Sequence, residues 1–95
     1  MNAWMNAWMN ARMNAMDDVE RRRLWWRSRR GMLELDLLFM PFIEHRYVTL
    51  GATDQATYGR LLEEDDPTLL EWCAGREIPE DVAYARIVAM LRGEL

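Results

Sequence analysis

The sequence predicts an all-α fold, a compact five-helix domain with short antiparallel connections. Three observations carry this. Apolar residues recur at helical spacing, most clearly Leu35, Leu38, Phe39 and Phe42 at i, i+3, i+4 and i+7. Capping residues, prolines and glycines punctuate the chain where helices would begin and end. No stretch sustains an alternation of period two, so no sheet is expected.

The first helix is predicted from about residue 18 to Arg30. Asp17 and Glu20 have the spacing of a capping box, and the arginines of the last turns suit the helix dipole. Gly31 stands where a C-cap belongs. A second helix is predicted from Met32 to Tyr47, with Pro41 bending or breaking it near Met40. Residues 48–52 form a connector. Thr53 is expected to cap a third helix, Asp54 to Glu64, with Tyr58, Leu61 and Leu62 facing inward. Asp66 reads as the N-cap of a fourth helix with Pro67 at its first position. That helix carries Leu69, Leu70, Trp72 and Cys73 and stops at Gly75. Pro79, Glu80 and Asp81 start a fifth, whose apolar stripe is Ala83, Ile87, Met90 and Leu91. Trp72, Leu62, Leu38 and Phe42 are expected among the buried residues.

At 95 residues and 11.3 kDa there is room for one small domain. It is assigned to residues 17–95. Residues 1–16, MNAW-MNAW-MNAR-MNAM, read as a low-complexity extension expected to be disordered, although Trp4 and Trp8 would share a helical face. One cysteine excludes an intramolecular disulfide, and with one histidine it leaves no zinc site, so no metal ligands are expected. No apolar run approaches the ~20 residues of a membrane span, and no signal peptide is expected. The expected location is the bacterial cytoplasm. The mitochondrial matrix is the weaker alternative, because only Arg12 adds positive charge before Asp17. The net charge of −4 conceals a division: residues 1–30 carry +4 and residues 31–95 carry −8. A basic head on an acidic body implies two faces with different partners.

Among segments that could carry chemistry, RSRRGMLELD at 27–36 is the sharpest. A continuous helix would put Arg30 and Glu34 on one face, with Gly31 between them allowing φ > 0 or a close backbone approach. Such a surface suits docking on a larger protein; a helix junction with solvated charges is the plainer reading. The stretch RRRLWWRSRR at 21–30 offers arginines for phosphates and Trp25 or Trp26 for bases, which makes a nucleic-acid-binding regulatory module the alternative function. The acidic body opposes it, and adjacent indoles point about 100° apart on a helix, so one is expected in the core. The run Glu63–Asp66 before Pro67 reads as solvated acids rather than a cation site; acids at a helix C-terminus call for a compensating arginine nearby. His45 has no constellation of acid and nucleophile around it, and Cys73 reads as a buried apolar residue. No phosphate loop or pair of catalytic carboxylates is present, so no enzyme is expected. The residues alone describe a small acidic helical domain that binds a protein.

Arg30-Gly31-x-x-Glu34 is an RGxxE signature. It is followed by MPFIEH at 40–45, by LLEEDDPTLLEW at 61–72, and by a C-terminal helix. In this order, over about residues 20–92, these segments resemble the succinate dehydrogenase FAD assembly factor family (SdhE-type). The resemblance implies a five-helix chaperone for the flavoprotein subunit of succinate dehydrogenase, or of fumarate reductase. It would promote covalent attachment of FAD to a histidine of that subunit without holding FAD stably or making the bond itself. Arg30, Gly31 and Glu34 would then lie on the docking face, with Arg29, Met32 and Asp36 beside them. No nucleic acid or membrane is implied as a partner, and the free chain is expected to be a monomer.

Overall fold

The computed structural model describes residues 19–95. The reading of residues 1–16 as a disordered extension and the capping role of Asp17 lie outside the described residues. Among the described residues five α-helices follow one another: α1 over 19–28, α2 Leu33–Pro41, α3 Ala52–Leu61, α4 Asp66–Cys73 and α5 Val82–Leu91. No strand occurs among the described residues. Helix α3 packs on α5, α2 on α4, and α4 on α5.

Tyr58 of α3 is the centre of the packing. Its ring stacks on Phe42 at 5.0 Å between centroids and meets Tyr47 at 5.6 Å and Phe39 at 6.2 Å. Its hydroxyl shares a 2.6 Å hydrogen bond with Ser28 of α1, whose oxygen lies 2.6 Å from the Leu24 carbonyl. Both side chains are fully buried, so this chain of bonds satisfies polar atoms that would otherwise cost free energy. Burial pushes the Tyr58 phenol well above its usual range, while the Ser28 hydrogen bond pulls the other way. Leu35, Leu61, Leu69 and Ile87 complete the fully buried apolar set, drawn from α2, α3, α4 and α5.

Several element boundaries differ from expectation, each for a local reason. Helix α1 stops at residue 28 rather than Arg30, and residues 29–32 form a turn in which Gly31 has φ +80°. Pro41 does not break the second helix. Its backbone stays helical, at φ −60° and ψ −34°. Proline brings no N–H to the helical ladder, and the segment that follows it, Phe42–Arg46, is π-helical, with the Tyr47 N–H donating to the Phe42 carbonyl. A single 3-10 turn, Tyr47–Thr49, then ends it. Thr53 lies inside α3; the N-cap is Gly51, and the helix closes at Leu61 rather than Glu64. Asp65, not Asp66, caps α4: its carboxylate accepts the Thr68 N–H at 2.9 Å, and Pro67 falls one position further in. Helix α5 begins three residues after Pro79, capped by Asp81 accepting from Ala83 and Tyr84. Leu62 and Phe42 are buried, whereas Leu38 and Trp72 are only half-buried. Val88, absent from the expected stripe of α5, joins its buried side.

Candidate functional site

The site is the turn between α1 and α2, and Arg30 fixes its shape. The expected shared helical face for Arg30 and Glu34 does not form, because the backbone leaves the helix at 29–32. Arg30 turns inward. Its Nε donates to Asp66 Oδ1 at 2.7 Å, Nη1 to the carbonyls of Leu62 at 2.9 Å and Arg27 at 3.1 Å, and Nη2 to the Glu64 carbonyl at 2.9 Å. The side chain is 15% exposed. One guanidinium therefore closes the C-terminal end of α3, joins it to the first residue of α4, and holds both to α1. Carbonyls at a helix C-terminus carry partial negative charge, so a cation is favoured there. This is the arginine that the acidic run at 63–66 called for.

The backbone of the turn is held from the other side. The Arg30 N–H donates to Asp36 Oδ1 at 2.8 Å, so a carboxylate of α2 reaches back over its own N-terminus. Met32 is the N-cap residue of α2 and offers no side-chain cap; its carbonyl accepts from Leu35 and Asp36, and its side chain packs on the core. Between these two anchors Gly31 is exposed, and a Cβ built on it would meet nothing within 4 Å. The left-handed backbone favours glycine, and the open space above it admits another chain's backbone.

Arg29 and Glu34 stand on either side of this open turn. Both side chains are exposed, and neither makes a hydrogen bond or ion pair within the described residues. Of the six residues singled out, three (Arg29, Gly31 and Glu34) form the outer side of the turn, and three (Arg30, Met32 and Asp36) support it from within. Sequence reasoning missed Leu33 and Leu37, which are 67% and 65% exposed on α2. The available signal was excess: residues 32–43 are apolar almost throughout, more than a helix with a single buried stripe needs.

The other candidates resolve differently. Trp25 packs against the core and donates from Nε1 to Glu44 at 3.3 Å, while Trp26 is 64% exposed, edge-on to it. His45 is exposed, with Glu44 as its nearest acid at 3.9 Å. Cys73 is half-buried, and burial pushes its thiol up to about 11. Among the described residues no three His, Cys, Asp or Glu side chains gather as metal ligands would.

The described residues form a helical domain with an ordered turn that presents exposed charges without partners among them, a surface of the class that docks on other proteins. Residues 22–94 match the family model Sdh5, flavinator of succinate dehydrogenase. The chain is 47% identical over 75 residues to the FAD assembly factor SdhE of Pseudomonas aeruginosa, covering 79% of this chain and 89% of that protein. It is 46% identical over 78 residues to the same-named protein of Shewanella oneidensis, covering 82% and 95%. With that of Colwellia psychrerythraea it shares 45% over 73 residues, covering 77% and 80%. The chain belongs to the Sdh5/SdhE family of FAD assembly factors.

Proposed function

We propose that this protein is a non-catalytic chaperone for the flavoprotein subunit of succinate dehydrogenase, or of fumarate reductase, and that it promotes covalent attachment of FAD to that subunit in the bacterial cytoplasm. Family membership supports the assembly role. The observation that carries the docking mode is the turn itself: Gly31 at φ +80° under open space, beside a Glu34 with no partner of its own among the described residues.

The mechanism follows from what such a surface can do. Bond formation between a histidine and the flavin requires both in near-attack geometry, which is a property of the flavoprotein's domain arrangement. A partner that binds one arrangement better shifts the population toward it, and a difference of ~1.4 kcal/mol changes the ratio tenfold. Gly31 admits the flavoprotein backbone, while Glu34 and Arg29 supply charge-assisted hydrogen bonds of opposite sign, which fix orientation. Arg30 and Asp36 hold the turn in its docking shape. A surface already ordered loses little entropy on binding.

The test is to delete the gene and measure covalent flavin on the succinate dehydrogenase flavoprotein by its fluorescence in a denaturing gel. The signal should fall sharply and return with the wild-type chain. A Glu34→Ala chain should fold, because alanine is well tolerated early in a helix, yet restore little flavin. Full restoration by Glu34→Ala would mean that this carboxylate is only a solvated helix-start residue.

A further inference from the structure

We propose that the flavoprotein subunit also occupies an apolar groove along α2, running from Glu34 to His45, so that the turn is one end of a longer docking surface. The inference rests on the docking reading above and extends it to residues outside the RGxxE signature.

At 100° per residue, Glu34, Leu37, Leu38 and Pro41 fall within ~100° of the α2 perimeter and form one face. Leu38 is the ridge between two shallow depressions on that face. The first lies between α2 and α4 and is walled by Glu34, Leu70, Cys73 and Arg76. The second lies between α2 and α5 and is walled by Leu37, Pro41, His45 and Met90. A single exposed leucine is ordinary; an exposed Leu37 continuous with half-buried Leu38, exposed Pro41 and two apolar hollows is a patch that water solvates poorly.

Continuity and charge choose the occupant. Glu34 and Leu37 are three residues apart on one helix, about 5–6 Å between Cβ atoms. A protein surface docked on Glu34 is therefore within reach of the first hollow, which Glu34 lines, and of the exposed Leu37. The charges around that end also specify the partner. Glu34 is unmatched, whereas the nearby cation, Arg76, is already paired with Glu71 at 2.8 Å. At the far end Arg46 donates to the carbonyls of Met90 and Leu95. The groove thus fits an apolar segment of the flavoprotein that carries a basic group at its Glu34 end.

The experiment is a titration of purified flavoprotein subunit into the full chain, with sedimentation and thermal melting of the chain alone. Leu37→Glu places a charge at an exposed helix position, and Leu37→Ala removes the side chain without adding one. Leu37→Glu should weaken flavoprotein binding by at least about tenfold, and Leu37→Ala by less, with melting within a few degrees of wild type. Unchanged affinity for both variants, with affinity lost in Glu34→Ala, would leave the turn as the docking site and overturn the groove. Absence of binding by the wild-type chain would remove both. A wild-type self-association abolished by Leu37→Glu, at unchanged flavoprotein affinity, would reassign the groove to a contact between copies and overturn the proposal.

Discussion

Arg30 Nε donates to Asp66 Oδ1 at 2.7 Å across 36 residues of sequence, joining the RGxxE turn to the start of α4. The same guanidinium reaches three backbone carbonyls, so its planar fork, and not charge alone, makes the junction. Lysine cannot meet four acceptors set at these directions. Arg30→Lys should therefore lower unfolding free energy by about 2 kcal/mol, read from urea denaturation. Asp66→Asn should lose less, because Asp66 is about a third exposed and the carbonyl bonds remain. A wild-type urea midpoint for Arg30→Lys would show that the guanidinium contacts do not support the turn.

This residue also marks where the sequence stops being legible. The five helices and most of the core could be read from apolar spacing, because Tyr58, Leu61, Ile87 and Leu91 need only a helical period to reach the interior. Spacing could not reveal that Arg30 and Glu34 part company at Gly31, since that depends on one backbone angle. Nor could it choose between Asp65 and Asp66 as the cap, where two neighbouring carboxylates compete and Arg30, 36 residues away, claims one of them. At Pro41 the residue type predicted a bend or break near Met40, yet the backbone there stays helical. The π-helical segment that follows, Phe42–Arg46, carries Phe42 stacked on Tyr58, a tertiary contact with no local signature.

Acid should weaken the fold through its exposed carboxylates. Hydrogen bonds from the Thr68 side chain and backbone hold Asp65 below its ordinary value, and Arg76 does the same for Glu71. Because both are depressed in the folded state, their contribution is complete above the unfolded carboxylate range, about 4. It is lost as pH falls through the lower folded values. The melting temperature should be flat above about pH 5 and decline below pH 4. Asp65→Asn still offers an oxygen to Thr68 but does not titrate, so it should make that decline shallower. An identical slope in the two proteins would remove Asp65 from the account.

Cys73 should be chemically quiet. Its thiol is raised from 9.0 to about 11, chiefly by burial, with Arg92 opposing. At pH 8 that leaves about a hundredfold less thiolate than the unshifted group would give, and the thiolate is the reactive form. Alkylation by iodoacetamide should be slow in the native protein and rise to the rate of an ordinary cysteine in urea. Equal rates in the two conditions would mean that the wall between α2 and α4 opens readily.

Gly31 separates folding from docking more cleanly than any other position in the turn. Its φ of +80° favours glycine, so a side chain costs ~1–2 kcal/mol of backbone strain, least for asparagine. A new Cβ meets nothing within 4 Å, so the isolated domain adds no steric penalty where a side chain would begin, and at this exposed turn a longer one extends toward solvent. Gly31→Ala and Gly31→Arg should therefore lower the melting temperature by similar amounts, and Gly31→Asn by less. Docking should not follow that order. If the flavoprotein backbone enters the space above Gly31, asparagine and alanine intrude modestly. Arginine fills the space and sets a second cation beside Arg29, so its affinity should fall about a hundredfold or more, as at an interface hot spot. Melting temperature and flavoprotein affinity, measured on all three variants, give two orderings to compare. Affinities that simply track the melting temperatures would mean that Gly31 is needed only to turn the chain, and that the partner binds elsewhere.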